Sequence, residues 1–263
     1  FHMEAGNRCF DLNVPEELNR KVVDHLSDIN FVLTEHARRY LIKEGIREES
    51  IIKSGSHMPE IFEFYKEKIN NSLILQKLKL SKENYIIVSS HREEIVDNDK
   101  KLKQLINSLD KISKKLDKKI IFSTHPRTKN RLNKILDVKS FTNILFLKPF
   151  NFSDYISLQK NSYCVISDSG TIAEESAILN FPAVTIRPTH ERPEVYDSGS
   201  LFCSELDEKS LISSVSLAVS FINKNSDKVL VPDYEYREVS KIVLNNILSL
   251  TEKINRYTWR KYL

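Results

Sequence analysis

Short apolar runs alternate along the chain with longer segments whose apolar positions recur every three to four residues. Most of the short runs are unbroken and rich in β-branched residues, which is typical of parallel strands covered on both faces. The predicted strands are residues 30–34, 85–89, 119–123, 143–147, 163–167 and 183–186. Few hairpin signals lie between them, so the pattern favours βαβ units.

The longer segments predict helices at residues 15–27, 35–44, 99–116, 171–179, 209–222 and 239–262. The first of these begins with Pro15, Glu16 and Glu17, which places proline and acidic residues in the first turn, where helices favour them. The last helix carries Tyr257, Trp259 and Tyr262. Three aromatic side chains so close together predict that this helix end lies against an apolar surface.

Five of the predicted strands fall between residues 85 and 186 and are joined by helical crossovers, which is enough for one doubly wound sheet. Residues 1–56 hold only one or two strands and two helices, or half a domain. Residues 57–84 are polar and charged and are interpreted as the connection. The sequence therefore predicts one complete domain, residues 57–240, and the remainder of another.

Composition narrows the function classes. The 40 basic and 36 acidic residues give a net charge of +4 and are intermixed, which argues against nucleic-acid binding. Cys9, Cys164 and Cys203 form no CxxC pair, so neither a zinc knuckle nor a disulfide framework is indicated, and a reducing cytoplasm fits best. No window approaches 18 apolar residues, which predicts that the chain has no membrane span.

The segment 165–175 is the sharpest candidate for chemistry. A buried strand ends in Ser167, Asp168, Ser169 and Gly170, and a helix is predicted from Thr171. The free N–H groups of a helix start suit an anion such as phosphate. A plain helix cap by Asp168 or Ser169 is the equally weighted alternative. The absence of GxGxxG and GxxxxGK[ST] patterns disfavours nicotinamide cofactors and nucleoside-triphosphate hydrolysis.

Polar clusters also follow other strands of the predicted sheet. His91 and Arg92 follow residues 85–89, His125 and Arg127 follow residues 119–123, and Arg192 lies in the loop after residues 183–186. Because the carboxyl ends of parallel strands line the ligand crevice, two His-Arg pairs there can hold a charged leaving group. A histidine at a single strand end is more often an ordinary loop residue, and the loop around Arg192 taken alone reads as a surface turn.

The N-terminal segment supplies carboxylates. Glu4 lies at a strand end, and Glu16 and Glu17 lie at a helix start. Paired carboxylates suit acid/base chemistry at carbon if one of them is desolvated. For Glu16 and Glu17, compensation of the helix dipole is the simpler interpretation. His2 and Glu4 form an HxE motif, but no PCxxC follows, so a zinc deaminase is not supported.

Taken together, these segments resemble the non-hydrolysing bacterial UDP-N-acetylglucosamine 2-epimerase family in order and rough spacing over nearly the whole chain. The matching motifs are HMEAG at 2–6, PEELNR at 15–20, DH at 24–25, SHREE at 90–94, HP at 125–126, SDSG at 167–170, EE at 174–175 and ERPE at 191–194. Residues 1–11 and 150–155 resemble most closely the branch that makes UDP-N-acetyl-L-fucosamine.

The resemblance implies an α/β fold of the GT-B type, in which two Rossmann-like, doubly wound domains bind a nucleotide sugar between them. By family proportion this chain starts late. The first domain, represented by residues 1–56, is therefore expected to be incomplete and to lack its opening strands and one catalytic aspartate. A final helix, residues 241–263, is expected to pack back on that domain.

The resemblance also implies roles for individual residues. Glu4 and Glu16 would be the acid/base carboxylates, and His91 would steady the departing diphosphate. The implied UDP-binding residues are Ser169, Gly170 and Thr171 at the phosphates, Glu175 at the ribose hydroxyls, Phe150 and Tyr155 beside the uracil, and Arg192 completing the phosphate pocket.

The implied activity is inversion of C2 of a UDP-N-acetylhexosamine for surface polysaccharide precursors. The family further implies a homodimer and a reaction with no metal or redox cofactor, and a missing N-terminal segment is the expected partner of residues 1–56. Two alternatives stay open: a truncated chain that binds nucleotide sugar with little or no turnover, and a hydrolysing 2-epimerase. A glycosyltransferase of similar architecture is disfavoured by the carboxylates Glu4 and Glu16.

Overall fold

Parallel strands alternate with helices throughout the computed structural model, which describes residues 1–224 and 231–262. The strands are β1 (His2–Met3), β2 (Asn30–Val32), β3 (Ile51–Lys53), β4 (Tyr85–Ser89), β5 (Lys119–Ser123), β6 (Ile144–Leu147), β7 (Cys164–Ser167), β8 (Ala183–Thr185) and β9 (Phe202–Cys203). The helices are α1 (Pro15–Leu26), α2 (Glu35–Lys43), α3 (Met58–Phe64), α4 (Lys66–Asn70), α5 (Ile74–Lys77), α6 (Glu93–Val96), α7 (Asp99–Leu116), α8 (Pro126–Ile135), α9 (Phe152–Lys160), α10 (Ile172–Leu179), α11 (Glu194–Ser198), α12 (Glu208–Lys224) and α13 (Val239–Tyr257).

The chain divides into two units, and neither is continuous in sequence. The first unit comprises Phe1–Phe64, Thr189–Asp197 and residues 231–262, and the second comprises Tyr65–Pro188 and residues 198–224. This division differs from the predicted boundaries, because α3, the segment 189–197 and residues 231–240 all belong to the first unit. Residues 225–230 of the predicted second domain and residue 263 of the predicted last helix lie outside the described residues.

The first unit contains a three-stranded parallel sheet in the order β1-β2-β3. Helix α2 covers it through Ala37 and Leu41, which form a core with Val32. Helix α13 packs through Val239 and Val243 against Ile29 and Phe31 of the same sheet. Both faces of the middle strand are therefore covered, which explains why its three residues are all buried.

The aromatic end of the last helix differs from the prediction. Tyr257, Trp259 and Tyr262 are 57–71% exposed. The indole N–H of Trp259 donates a hydrogen bond to Asp28 Oδ2 at 3.0 Å. A polar contact thus holds the residue for which an apolar surface was expected.

The second unit contains six parallel strands in the order β6-β5-β4-β7-β8-β9. Numbered from its own first strand, this order is 3-2-1-4-5-6, the arrangement of a doubly wound nucleotide-binding sheet. Such a sheet has one switch point, where the connections leave in opposite directions. Here it lies between β4 and β7, which pair directly with Ser89 opposite Ser167.

The core of the second unit follows from the amphipathic pattern of α7. Its apolar residues recur at helical spacing and are all fully buried: Leu102, Leu105, Ile106, Leu109 and Ile112. They pack with Ile86, Val88 and Phe122 of the central strands. Within residues 1–224 and 231–262, no helix combines the length and apolar character needed to cross a membrane.

Several short elements go beyond the prediction. Strands β3 and β9 and helices α6, α8, α9 and α11 were not predicted, and residues 57–84, interpreted as the connection, contain the helices α3, α4 and α5. Phe62 of α3, Ile69 of α4 and Ile74 of α5 are buried. These helices of four to seven residues have only one to three buried positions each, which is too few to show a period.

Candidate functional site

The switch point of the second unit is where the sheet presents its ligand crevice. Strand β4 ends at Ser89 and continues into Ser90, His91 and Arg92, while β7 ends at Ser167 and continues into Asp168. Two of the polar clusters predicted from the sequence are therefore neighbours in the structure.

Asp168 joins these two strand ends. Its side chain is fully buried, and its carboxylate accepts hydrogen bonds from Ser90 Oγ at 2.9 Å, from the backbone N–H of His91 at 2.9 Å and from the backbone N–H of Arg92 at 3.0 Å. His91 Nδ1 lies 3.2 Å from the same carboxylate. A helix cap by Asp168 is wrong, because its carboxylate bonds the loop after the neighbouring strand β4 instead. Ser169 Oγ accepts from the Thr171 backbone N–H at 3.4 Å, so that half of the alternative stays open.

Ser169, Gly170 and Thr171 form the turn before α10, with Thr171 at the N-cap position. Ser169 Oγ lies 3.0 Å from Thr171 Oγ1, so the hydroxyls gather at the helix start. A Cβ on Gly170 would lie 3.1 Å from Nη1 of the buried Arg187, so glycine leaves room for that guanidinium. A helix start and a cation thus share one small region, and both favour an anion.

Arg187 is a residue that the sequence reasoning missed. It follows β8 by two positions, and its backbone N–H donates to Thr185 Oγ1 at 3.3 Å. The sequence could have indicated Arg187, because it follows the carboxyl end of a predicted strand. That strand, β8, pairs in parallel with β7, so the carboxyl ends of both lie at the same edge of the sheet.

Glu175 lies one turn into α10 and is buried. Its Oε1 accepts from the Thr171 hydroxyl at 2.6 Å, and its Oε2 accepts from Gln159 Nε2 at 2.6 Å. Burial raises the pKa of Glu175, and these two hydrogen bonds oppose that shift. The carboxylate is thus held by donors on α10 and α9 beside the proposed phosphate turn.

Tyr155 on α9 belongs to the same group. Burial raises the pKa of its hydroxyl, and the charge of Glu175 adds to the effect, while hydrogen bonds to Ser89 and Gln159 act in the opposite direction. Phe150 is half-buried and directly precedes Asn151, which caps α9 by accepting from Asp154 N–H. The structure therefore brings Tyr155 to Glu175 and places Phe150 at the start of the same helix.

The second His-Arg pair is used structurally. His125 Nδ1 accepts from the Arg127 backbone N–H at 3.3 Å, which caps α8. The Arg127 guanidinium forms ion pairs with Glu93 at 2.9 Å and with Asp97. These carboxylates occupy the cation, so the expectation that it holds a charged leaving group finds no support in its contacts.

The carboxylates predicted for acid/base chemistry lie in the first unit. Glu4 directly follows β1, its side chain is 44% exposed, and its Oε1 lies 3.9 Å from His57 Nε2. His57 was not predicted, although it follows β3 at the same edge of the sheet. Glu4 adopts a φ of 59°, a left-handed conformation that costs about 1 kcal/mol or more for a residue with a side chain.

The residues after Glu4 hold this conformation in place. Ala5 N–H donates to Phe31 O at 3.0 Å, and Gly6 N–H donates to Asp24 Oδ2 at 3.2 Å. Asp24 also pairs with His2 Nδ1 and with Arg8 Nη2, both at 2.7 Å. A buried carboxylate therefore organises the whole HMEAGNR segment.

Glu44 completes that network from α2. Its carboxylate accepts from Arg8 Nε at 2.8 Å and from Arg8 Nη2 at 2.6 Å. These bonds lower the pKa of Glu44. The charge of Arg8, which is fully buried, is thus compensated by carboxylates on both sides.

Glu16 and Glu17 have different environments although they are adjacent. Glu17 is fully buried and accepts from Cys9 N–H at 2.9 Å and Phe10 N–H at 3.3 Å. Glu16 is exposed in the first turn of α1. Glu17 therefore anchors the loop after Arg8, and Glu16 is the more exposed of the two carboxylates.

Arg192 clusters with the first unit rather than with the turn at Ser169. Its backbone N–H donates to His190 Nδ1 at 3.0 Å, and its neighbour Glu191 forms an ion pair with Arg20 at 2.9 Å. The structure thus brings most predicted UDP-binding residues together in the second unit and places Glu4, Glu16 and Arg192 in the first.

Comparisons with known proteins agree with this architecture. A family model described as UDP-N-acetylglucosamine 2-epimerase matches residues 1–245. A UDP-N-acetylglucosamine 2-epimerase of Methanococcus maripaludis is 35% identical over 244 residues, which are 88% of this chain and 67% of the relative. One from Methanocaldococcus jannaschii is 36% identical over 237 residues, which are 83% of this chain and 62% of the relative.

Solved structures give the same result. The UDP-N-acetylglucosamine 2-epimerase from Rickettsia bellii matches with a TM-score of 0.91 at 49% identity, over 98% of this chain and 69% of that one. The Methanocaldococcus jannaschii enzyme in complex with UDP-GlcNAc and UDP matches with a TM-score of 0.83 at 32% identity, over 94% and 68%. These matches confirm the GT-B-like α/β fold class, and the chain spans 62–69% of the length of these four relatives.

Proposed function

The chain belongs to the UDP-N-acetylglucosamine 2-epimerase family, and from that premise we propose that it binds a UDP-N-acetylhexosamine and inverts the configuration at C2. One observation carries the proposal beyond the family assignment. At the switch point of a nucleotide-binding sheet, Asp168 ties His91 to the turn that opens α10. That is where such a sheet binds the phosphates of its ligand.

The second unit supplies all of the proposed UDP contacts except Arg192. The backbone N–H groups of Ser169, Gly170 and Thr171 bind the diphosphate, and Arg187 adds a positive charge behind Gly170. Glu175 accepts hydrogen bonds from the ribose hydroxyls. Phe150 and Tyr155 border the uracil, and Arg192 completes the phosphate contacts.

The chemistry is an elimination followed by an addition. One carboxylate removes the C2 proton from one face of the sugar. The C1–O bond breaks, and UDP leaves from the opposite face, taking the bonding electron pair with it. The resulting intermediate is a 2-acetamidoglucal. A proton then returns to the other face of C2, and UDP adds back to C1. Glu4 and Glu16 are the acid/base carboxylates, and His91 steadies the diphosphate while it is detached.

The motif strings at residues 1–11 and 150–155 favour a 6-deoxy-L-sugar substrate, so that the product is UDP-N-acetyl-L-fucosamine. UDP-GlcNAc and UDP-ManNAc are the other substrates to be compared. Assaying the three nucleotide sugars in parallel assigns the branch by the highest kcat/KM.

Proton NMR in deuterated water tests the reaction. With the chain and each UDP-N-acetylhexosamine, we expect deuterium to enter C2 of both the recovered substrate and its epimer, because the proposed intermediate loses the C2 proton. Failure of exchange with every UDP-N-acetylhexosamine would contradict the proposal. UDP binding without exchange would support a nucleotide-sugar-binding chain, and free UDP and sugar accumulating together would support a hydrolysing enzyme.

Glu175→Gln separates ribose recognition from folding. Burial raises the pKa of Glu175 in the folded state. At pH values between the ordinary glutamate pKa and this raised pKa, the folded state therefore binds more protons than the unfolded state. The free energy of unfolding consequently falls as the pH rises through this range. The glutamine variant should lose this pH dependence and be at least as stable at pH 8.

The same variant should bind UDP about tenfold more weakly, since hydrogen bonds from the ribose to a charged acceptor are lost. Calorimetric titration measures the UDP affinity of the wild type and of Glu175→Gln. The control ligand is a UDP analogue without ribose hydroxyls. Its affinity should be the same for the two proteins. Equal UDP affinities would remove Glu175 from the ribose contacts.

The partner assignments extend the proposal. The relatives are longer than this chain, which covers 62% of the one from Methanocaldococcus jannaschii. In addition, the side chains of Leu18, Val22 and Leu26 on α1 are 50–77% exposed in the first unit. Both facts support a further N-terminal segment as the partner of this unit, with a homodimer as the assembled form. The spacing of Cys9, Cys164 and Cys203, which form no CxxC pair, supports a cytoplasmic location.

A further inference from the structure

Asp168 places its carboxylate under the loop that carries His91, and no role in the proposed reaction has yet been given to it. We infer that Asp168 is a positioning residue, which fixes the ring of His91 so that Nε2 contacts the diphosphate. The identity of that ligand rests on the proposed function. The placement of the ring rests on the contacts described above.

The hydrogen-bond donors around Asp168 determine which nitrogen of His91 carries the proton. The backbone N–H groups of His91 and Arg92 and the hydroxyl of Ser90 all donate to the carboxylate. An ionised carboxylate can only accept hydrogen bonds, so we expect the ring nitrogen that lies 3.2 Å from it, Nδ1, to carry the hydrogen. The neutral imidazole then carries its hydrogen on Nδ1 and a lone pair on Nε2.

The same contacts set the direction of the ring. Nδ1 lies against a carboxylate that is fully buried, whereas 51% of the His91 side chain is exposed. Nε2, on the other side of the ring, is the nitrogen that we expect a ligand to meet. Backbone bonds at residues 91 and 92 hold the main chain, so the ring has few alternative placements, and little ordering is needed when a ligand binds.

His125 provides an internal reference in the same unit. Its Nδ1 lies 3.3 Å from the backbone N–H of Arg127, which can only donate. His125 Nδ1 must therefore be an acceptor, and its neutral ring carries the hydrogen on Nε2. Two histidines at neighbouring strand ends are thus expected in opposite tautomers.

Long-range proton–nitrogen correlation spectra of the chain labelled with ¹⁵N-histidine test the inference. In alkaline solution we expect the Nδ1–H tautomer for His91 and the Nε2–H tautomer for His125. Adding UDP should shift His91 Nε2 toward the protonated position, since it must donate to a diphosphate oxygen, and should leave His125 unchanged. Finding His91 in the Nε2–H tautomer before UDP is added overturns the inference without any variant.

Two substitutions separate positioning from packing. Asp168→Asn should abolish the Nδ1–H tautomer and the response of Nε2 to UDP, and should weaken UDP binding about tenfold, because a charge-assisted contact is lost. Ser90→Ala removes another donor to the same carboxylate and should keep both signals. An Asp168→Asn protein with unchanged signals, or a Ser90→Ala protein that loses them, would overturn the inference. If Asp168→Asn does not fold, the spectra of the wild type and of Ser90→Ala test the inference, which requires the Nδ1–H tautomer of His91 and its response to UDP in both proteins.

The outcomes distinguish this inference from the proposed function. UDP binding with the expected His91 spectrum but without C2 exchange would contradict the epimerase reaction and support the positioning role. UDP binding with an unresponsive His91 would contradict the positioning role alone. A chain that does not bind UDP would overturn both.

Discussion

Replacing Glu4 by glutamine is expected to lower the rate of deuterium incorporation at C2 by about 10²- to 10⁴-fold, since proton transfer by a positioned side chain contributes about that much. Glutamine keeps the shape of the side chain and can form hydrogen bonds, but it cannot accept the C2 proton. UDP affinity should change little, because Glu4 lies in the first unit and the proposed UDP contacts, apart from Arg192, lie in the second.

Glu48→Gln is the matched control for this substitution. Glu48 is an exposed carboxylate of the same unit, and its replacement should leave the exchange rate unchanged. Proton NMR in deuterated water measures the rate of deuterium incorporation at C2 for the wild type, Glu4→Gln and Glu48→Gln under identical conditions. Exchange by the Glu4→Gln protein at the wild-type rate would remove Glu4 from the acid/base pair and leave Glu16 as the remaining candidate.

Replacing Gly6 by alanine is expected to reduce the free energy of unfolding by about 3 kcal/mol or more, which is a large loss for a single substitution. A Cβ on Gly6 would lie 2.5 Å from Ala37 O and 2.9 Å from Ala37 C, closer than real Cβ atoms approach backbone. The φ of 75° adds a conformational cost for any residue with a side chain. Helix α2 would have to move away from the Glu4 segment.

Gly45→Ala isolates the conformational part of that cost. Gly45 has a φ of 88°, and among the described residues no heavy atom lies within 4 Å of the added Cβ. Its replacement should cost about 1 kcal/mol. Urea unfolding followed by circular dichroism gives both values, provided that the denaturant slope is unchanged. Equal losses for the two variants would show that the close approach to Ala37 is absent in solution.

The second unit could be predicted largely from the sequence because its strands are continuous apolar runs. Strands β4 and β5 have the predicted bounds, and β6, β7 and β8 differ by one residue at an end. Helix α8 was missed because only Thr128 and Leu132 of its ten residues are buried, which leaves no apolar stripe to detect. Strand β3 was missed because its three residues are too few to show an alternating pattern.

The site was predictable where it depends on strand ends and not where it depends on long-range pairing. The turn at Ser169 and the loop at His91 follow directly from two buried strands. The bond between them runs through Asp168, 77 positions along the chain from His91, and the sequence offers no local sign of it. The ion pair of Glu191 with Arg20 is of the same kind, and it is one of the contacts that place the ERPE segment in the first unit.

The interleaved course of the chain also affects how the protein is synthesised. Residues 1–64 emerge from the ribosome long before α13, whose Val239 and Val243 cover Ile29 and Phe31. At about 5–20 residues per second, the first unit waits on the order of ten seconds or more for its last helix. During that time the second unit can complete its own sheet, whereas one face of β2 stays open to chaperones or to nascent neighbours.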